Sequence, residues 1–143
     1  MFNPIIGPVA LALAIAIAPV AVEAAGNLAS RPVLLEPLVL GADLSFSVKE
    51  YQLETGRYYR WRITSGGGEE FLIQSPELFR SSWIDQVVIN DLEVKPVGGG
   101  LYGVEFDDAG DIDIWFVPIL PGNYEFYAEG HQERGMIGTF VVR

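Results

Sequence analysis

The stretch from Gly122 to Arg143 constrains the fold more than any other part of this 143-residue chain. Apolar residues alternate with polar ones in two segments, at Tyr124, Phe126 and Ala128 and later at Phe140 and Val142. Alternation with a period of two places side chains on one face of a β-strand, so each segment predicts a half-buried strand. A polar loop joins the two predicted strands.

That loop contains the only histidine of the chain, His131, and one of its two methionines, Met136. Counted from Ala128, these residues have the spacing Ala-x-x-His-x-x-x-x-Met. The arrangement resembles the carboxyl-terminal ligand loop of the cupredoxins, the blue-copper family of plastocyanin and azurin, where a strand ends in Cys-x-x-His-x-x-x-x-Met. Gly130, Gly135 and Gly138 match the glycine-rich character of that loop. The resemblance implies a cupredoxin-like fold with alanine in place of the cysteine ligand.

Further alternating segments precede this stretch. Strands are predicted over Leu44–Val48, Tyr59–Ile63 and Glu69–Ile73, with shorter pieces at 87–89 and 92–94. The segments Leu101–Phe106 and Ile112–Val117 predict a hairpin whose turn is Asp107–Asp111. Seven or eight strands at short spacing predict an all-β, antiparallel Greek-key β-sandwich, and the resemblance makes it cupredoxin-like.

One short helix is expected from about Pro76 to Ser82. Ser75 suits the N-cap, proline suits the first helical position, and Glu77 places an acid in the first turn. The buried side of this helix is predicted to consist of Leu78, Phe79 and Trp83.

The amino terminus has the composition of a targeting segment. An apolar run extends from Pro4 to Val22, and the small residues after it suit signal peptidase. We expect residues 1–24 to be a signal peptide of an exported, periplasmic protein. A retained membrane anchor is the alternative, because about 19 apolar residues can cross a bilayer. Residues 25–40 are expected to form a linker and an edge strand, where proline is tolerated, and residues 41–143 the cupredoxin-like domain.

Charge and cysteine content restrict the possible partners. The net charge is −10, and loss of residues 1–24 would remove one acid, which leaves 9 − 18 = −9. Nucleic acids and anionic membrane surfaces require basic patches, so they are disfavoured, whereas a basic protein partner is favoured. Arg60 and Arg62 are expected on a solvated strand face where they offset local acidic charge. No cysteine is present, so neither a disulfide nor a thiolate ligand is available.

The available donors exclude a blue-copper electron carrier. That centre needs two imidazoles, a thiolate and a weak axial thioether, whereas this chain supplies one imidazole and no thiolate. His131 and Met136 can still hold Cu(I), and carboxylates can add oxygen ligands for Cu(II). Glu70 is the nearest match to the position of the first histidine ligand in the resemblance. The predicted metal residues are therefore His131, Met136 and Glu70.

Other interpretations of the same loop remain open. Glu129 and Glu133 are further oxygen donors, whereas Arg134 opposes a cation. In the alternative, His131 and Met136 are ordinary loop residues that pack or form hydrogen bonds.

Other kinds of site are not supported. The acidic turn Asp107–Asp111 lacks the ligand spacing of a calcium loop, and no Gly-x-Ser-x-Gly nucleophile motif is present. We therefore expect no enzyme. Two functions remain: an exported, cupredoxin-like copper-handling protein with a degenerate site, or a metal-free periplasmic module. Such a module would bind a basic partner through its acidic face or through the region from Phe79 to Trp83.

Overall fold

The chain folds into two β-sheets packed face to face, and a computed structural model describes residues 28–96 and 100–143. The apolar run 4–22, and with it the signal-peptide or anchor hypothesis, lies outside the described residues. Across the two described ranges, no helix is both long enough and apolar enough to cross a membrane.

Eleven strands and one α-helix lie within the described residues, numbered in chain order. The strands are β1 (Val33–Leu34), β2 (Leu38–Leu40), β3 (Glu50–Leu53), β4 (Tyr59–Ser65), β5 (Phe71–Gln74), β6 (Ser82–Ile89), β7 (Leu92–Val94), β8 (Val104–Phe106), β9 (Gly110–Pro118), β10 (Gly122–Ala128) and β11 (Ile137–Val142). The helix α1 (Pro76–Arg80) separates β5 from β6, and a single 3-10 turn (Gln132–Arg134) separates β10 from β11.

The first sheet has the order β1-β4-β9-β6-β7, with β2 also paired to β4, and the second has the order β3-β11-β10-β5-β8. The predicted β-sandwich is confirmed, but the sheets are mixed. β1 and β2 run parallel to β4, and β3 runs parallel to β11. The sequence prediction of seven or eight antiparallel strands missed these pairs because one strand of each, β1, β2 or β3, has only two to four residues.

The predicted strand Leu44–Val48 is an irregular crossing between the two sheets. Its alternating residues Leu44, Phe46 and Val48 are buried as expected, but Leu44 has a φ of 61° and the segment makes one isolated bridge, from Phe46 to Leu40. The chain must pass here from β2 in the first sheet to β3 in the second. The predicted burial of alternate residues is therefore confirmed, whereas the prediction of a continuous, paired strand is wrong.

The predicted hairpin at 101–117 is also wrong. β8 pairs with β5 in the second sheet, whereas β9 lies between β4 and β6 in the first. The acidic turn between β8 and β9 therefore connects the two sheets. β8 alternates between buried and exposed residues, whereas β9 is buried on both faces over most of its length, and neither pattern specifies the pairing partner.

The helix is shorter than predicted and Trp83 is not on it. Leu78 and Phe79 are buried as expected, but α1 ends at Arg80 and β6 begins at Ser82. In β6, Ser82 and Ile84 point inward, so the intervening Trp83 points outward and is 51% exposed.

Aromatic rings from both sheets form the centre of the core. Trp61 of β4 meets Phe140 of β11 with a centroid distance of 5.0 Å, and Phe140 stacks on Tyr51 of β3 at 5.1 Å. Phe126 of β10 lies 4.9 Å from Phe140. Gly138 makes this approach possible, because an added Cβ would lie 2.2 Å from the Cζ of Phe126.

An ion-pair cluster covers the outer face of the first sheet. Arg60 and Arg62 each donate two hydrogen bonds to the carboxylate of Asp113, at 2.7 to 3.0 Å. The Asp113 side chain is 8% exposed, against 27% for Arg60 and 39% for Arg62. Burial alone would raise the pKa of Asp113, but the hydrogen bonds and charges of Arg62 and Arg60 outweigh it and hold this pKa below its usual value. The arginine face is therefore only partly solvated.

Strand register defines two ends of the sandwich. At one end, Ser65 of β4 lies opposite Gly110 of β9, and the loops 41–49, 66–70, 90–91, 107–109 and 129–136 gather there; we call it the His131 end. At the other, Ser82 of β6 lies opposite Pro118 of β9, with the loops 54–58 and 119–121 beside them; we call it the Trp83 end.

Candidate metal site

The loop between β10 and β11 is closed by its own backbone. His131 N donates to Ala128 O at 3.0 Å, Met136 N donates to His131 O at 3.2 Å, and Ala128 N donates to Met136 O at 3.0 Å. Gly130 and Gly135 have φ angles of 79° and 97°, a left-handed conformation that glycine adopts without strain. The three positions of the predicted motif are thus linked directly to one another through main-chain hydrogen bonds.

His131 is half buried, and its imidazole packs edge-on against Phe71, the first residue of β5, with a centroid distance of 5.8 Å. Its Nδ1 atom is buried and has no hydrogen-bond partner among the described residues. A buried polar atom without a partner is uncommon and carries a penalty of about 1–3 kcal/mol. This nitrogen is therefore a candidate metal ligand, because no hydrogen bond within the described residues occupies it.

Met136 and Ala128 complete the inner part of the loop, and both side chains are fully buried. Met136 brings a thioether, a soft ligand that suits Cu(I). The methyl group of Ala128 has no lone pair, so it fills space where the resemblance places a thiolate. The loop thus contains one imidazole and one thioether and provides no sulfur anion.

The structure places Glu70 differently from these two residues. Glu70 is exposed and lies just before β5, whereas the residue in contact with His131 is its neighbour Phe71. Glu129 and Glu133 are also exposed. Within residues 28–96 and 100–143, no three side chains of the types His, Cys, Asp and Glu converge on a point where they could hold a metal ion.

Lys49 is a residue of this site that sequence reasoning missed. Its Nζ donates a hydrogen bond to Gly135 O, beside Met136, and lies 5.5 Å from the ring centroid of Phe46. Lys49 and Gly135 are 86 positions apart, and no local pattern predicts such a contact. The lysine fastens the ligand loop to the segment that precedes β3.

The loops at the His131 end carry many more carboxylates than cations. In the described residues of these loops the basic side chains are Lys49 and Arg134. The acidic ones are Asp43, Glu69, Glu70, Asp91, Asp107, Asp108, Glu129 and Glu133. Such a charge distribution attracts cations and basic surfaces to the end that contains His131.

Solved structures with a similar architecture include a multicopper oxidase and a copper nitrite reductase. The chain is similar to a multicopper oxidase from Campylobacter jejuni, a metallo-oxidase, with a TM-score of 0.54 and 9% identity over 79% of this chain and 30% of that one. It is similar to auracyanin B, with a TM-score of 0.51 and 15% identity over 80% of this chain and 91% of that one. For a copper nitrite reductase from Nitrosomonas europaea the TM-score is 0.54, with 11% identity over 68% of this chain and 33% of that one.

The chain has the cupredoxin fold. The fold predicted from the His131 loop is therefore confirmed. This cupredoxin-fold chain spans nearly the whole of auracyanin B but about a third of the two enzymes. At these identities the similarity establishes architecture alone. No protein-family model and no curated protein sequence matches the chain.

Proposed function

We propose that this protein is an exported, cupredoxin-fold, copper-handling protein that holds the metal through His131 and Met136 in a degenerate site. The observation that carries the proposal is the buried Nδ1 atom of His131, which lacks a hydrogen-bond partner among the described residues. Neutral imidazole and thioether are ligands that Cu(I) accepts. Export is proposed from the apolar run in residues 1–24, which serves as an export signal whether it is cleaved or retained as an anchor. We do not propose an enzymatic activity.

The chemistry of such a site differs from that of a blue-copper centre. Bound copper would supply a soft, redox-capable cation. Ala128 offers no thiolate, so the strong coupling between copper and a thiolate would be absent. The chain's own contribution is to bind and orient: the loop's backbone hydrogen bonds and Phe71 fix the imidazole, and burial keeps water away from the thioether. Storage or transfer of copper fits this donor set better than fast electron transfer.

The test is titration of the purified protein with Cu(I) in competition with a chromophoric Cu(I) chelator. We expect one equivalent to bind, with affinity reduced at least about tenfold, or about 1.4 kcal/mol, in His131→Phe and in Met136→Leu. Both replacements introduce an apolar side chain of similar size, so the packing of the loop should be preserved. Gln132→Ala, within the same loop, is the control. Equal Cu(I) binding by the protein and His131→Phe, or no binding by either, would refute the proposal.

Glu70 is proposed as an added oxygen ligand for Cu(II) only. Glu70→Gln should weaken Cu(II) binding and leave Cu(I) binding unchanged, because the carboxylate is a hard donor. Glu69 is its exposed neighbour, so Glu69→Gln is a matched control for charge. If both variants lose the same Cu(II) affinity, the effect is general electrostatics and Glu70 is not a ligand.

A second candidate is a metal-free module that binds a basic periplasmic protein. The observation that favours it is the excess of carboxylates at the His131 end. Binding through this surface should weaken steeply as ionic strength rises, since the charges are exposed and screened over about 10 Å at 0.1 M salt. A partner captured equally well at low and high salt, or lost in His131→Phe, would argue against this candidate.

A further inference from the structure

Exposed apolar side chains surround one backbone junction at the Trp83 end. Ile119 N and Leu120 N both direct their hydrogen bonds at Ser81 O, two residues before Trp83. The side chains of Trp83, Ile119 and Leu120 are 51%, 53% and 55% exposed. Isolated exposed apolar residues are ordinary, but large ones grouped at one place mark a contact surface.

The amino-terminal part of the chain joins the domain at this same end. β1 runs parallel to β4, and its first residue, Val33, pairs with Tyr59, the first residue of β4. Tyr59 in turn lies opposite Phe116, close to the Pro118 end of β9. The apolar run 4–22 therefore connects to the Trp83 end through residues 23–32, which can extend over at most about 35 Å.

Charge is distributed unevenly between the two ends. At the Trp83 end the described residues include Arg31, Arg57, Arg80 and Arg143, against three acids: Glu54 and Glu77, which are paired with Arg57 and Arg80, and Asp85, which accepts a hydrogen bond from Tyr58. The His131 end is strongly acidic, as described above. The net charge of −10 is thus distributed unevenly over the surface. An anionic lipid surface would be repelled by the His131 end and tolerated by the Trp83 end.

We propose that the Trp83 end rests on a lipid bilayer, with the apolar run 4–22 retained as its anchor. Trp83 lies at the level of the headgroups, where indole rings are enriched, and Ile119 and Leu120 contact the boundary with the acyl chains. The neighbouring arginines face the lipid phosphates. The nine-residue strand β9 spans about 30 Å, so the His131 end is held that far from the membrane. This orientation is independent of metal binding.

The experiment uses the full chain, reconstituted without metal in vesicles of phosphatidylcholine and phosphatidylglycerol with brominated acyl chains. Bromine quenches indole fluorescence at short range. Trp61 is fully buried and the ring of Trp115 is covered by Arg60, so the exposed Trp83 should account for most of the quenching. We expect Trp83→Phe to remove most of it and the double change Ile119→Ser, Leu120→Ser to reduce it. Leu92→Ser, at a 70% exposed leucine of the His131 end, is the matched control and should leave it unchanged.

Three results would overturn the proposal. The first is failure of the full chain to float with the vesicles, since the anchor is part of the proposal. The second is quenching that persists in Trp83→Phe. The third is protection of Trp83 from a soluble quencher without quenching by bromine, which would mean that a second copy, or residues 4–22 themselves, covers the surface.

Discussion

Replacement of Asp113 by asparagine tests how the outer face of the first sheet is stabilised. The change keeps the size of the side chain and removes the charge that receives four hydrogen bonds from Arg60 and Arg62. A fully exposed ion pair contributes about 0.2–1 kcal/mol, whereas loss of one partner from a buried pair costs about 3–5 kcal/mol. Asp113 is nearly buried, but both arginines retain contact with water. The expected loss is therefore between the two ranges, about 2–3 kcal/mol.

Urea unfolding and calorimetry measure this loss. For a domain of this size, a change of 2–3 kcal/mol corresponds to a fall in Tm on the order of 10 °C. The difference between the protein and Asp113→Asn should also depend on pH. Since the pKa of folded Asp113 lies below its ordinary value of 3.8, the stabilisation is complete above that pH. It is lost as pH falls through the lower, folded value, where the carboxylate binds a proton.

Asp111→Asn is the control for charge on the same strand. Asp111 is exposed and accepts one hydrogen bond from Thr64, so its replacement should change stability by less than about 0.5 kcal/mol. The reasoning is refuted if Asp113→Asn also stays within that limit. It is refuted equally if the difference from the unaltered protein is the same at pH 7 and at pH 2.

Three further changes test the core. Gly138→Ala should lower the free energy of unfolding by about 1–3 kcal/mol, because the added Cβ would clash with Phe126. Gly66→Ala, where nothing lies within 4 Å, should be nearly neutral in the same urea assay. Equal effects of the two changes would contradict the packing argument. Ser75→Ala removes a buried hydroxyl that donates to Glu125 O at 2.7 Å and should cost about 1–2 kcal/mol in calorimetry; no change in Tm would show that this bond contributes nothing. Burial raises the pKa of Tyr51 to about 12, so stability should fall as pH rises from about 10 toward that value, and Tyr51→Phe should flatten the fall in an alkaline unfolding series; an unchanged slope would refute the assignment.

Local patterns in the sequence predicted the inward-facing residues well and the strand partners poorly. The alternation of Tyr59, Trp61 and Ile63 and of Phe126, Ala128, Phe140 and Val142 matches their burial. The predicted hairpin at 101–117 was wrong because an apolar pattern shows which side chains face inward, while the choice of partner strand depends on contacts distant in sequence. The prediction that Trp83 is buried on the helix was wrong because the exact end of a helix decides which side of the next strand a residue faces.

For the candidate site, the sequence located the loop and its donors but not their surroundings. The spacing of His131 and Met136 pointed to the loop, whose closure by main-chain hydrogen bonds the structure then showed. Ser75 occupies the predicted N-cap, yet its hydroxyl bonds to β10 and does not cap the helix. Contacts made by Lys49 and Phe71 join segments far apart in the chain. These contacts depend on the tertiary fold, which local spacing does not specify.

Main-chain hydrogen bonds and one lysine side chain hold the loop that contains His131. Five backbone hydrogen bonds within the loop, two left-handed glycines and the bond from Lys49 Nζ to Gly135 O hold the main chain between Ala128 and Met136. Alanine at position 128 fills its buried place without an unpaired polar atom. Among the buried side-chain nitrogen and oxygen atoms of the described loop, the Nδ1 of His131 is the one without a hydrogen-bond partner. Contacts within the fold leave this buried nitrogen without a partner, and for this reason the nitrogen, more than the loop spacing, supports a ligand-binding role.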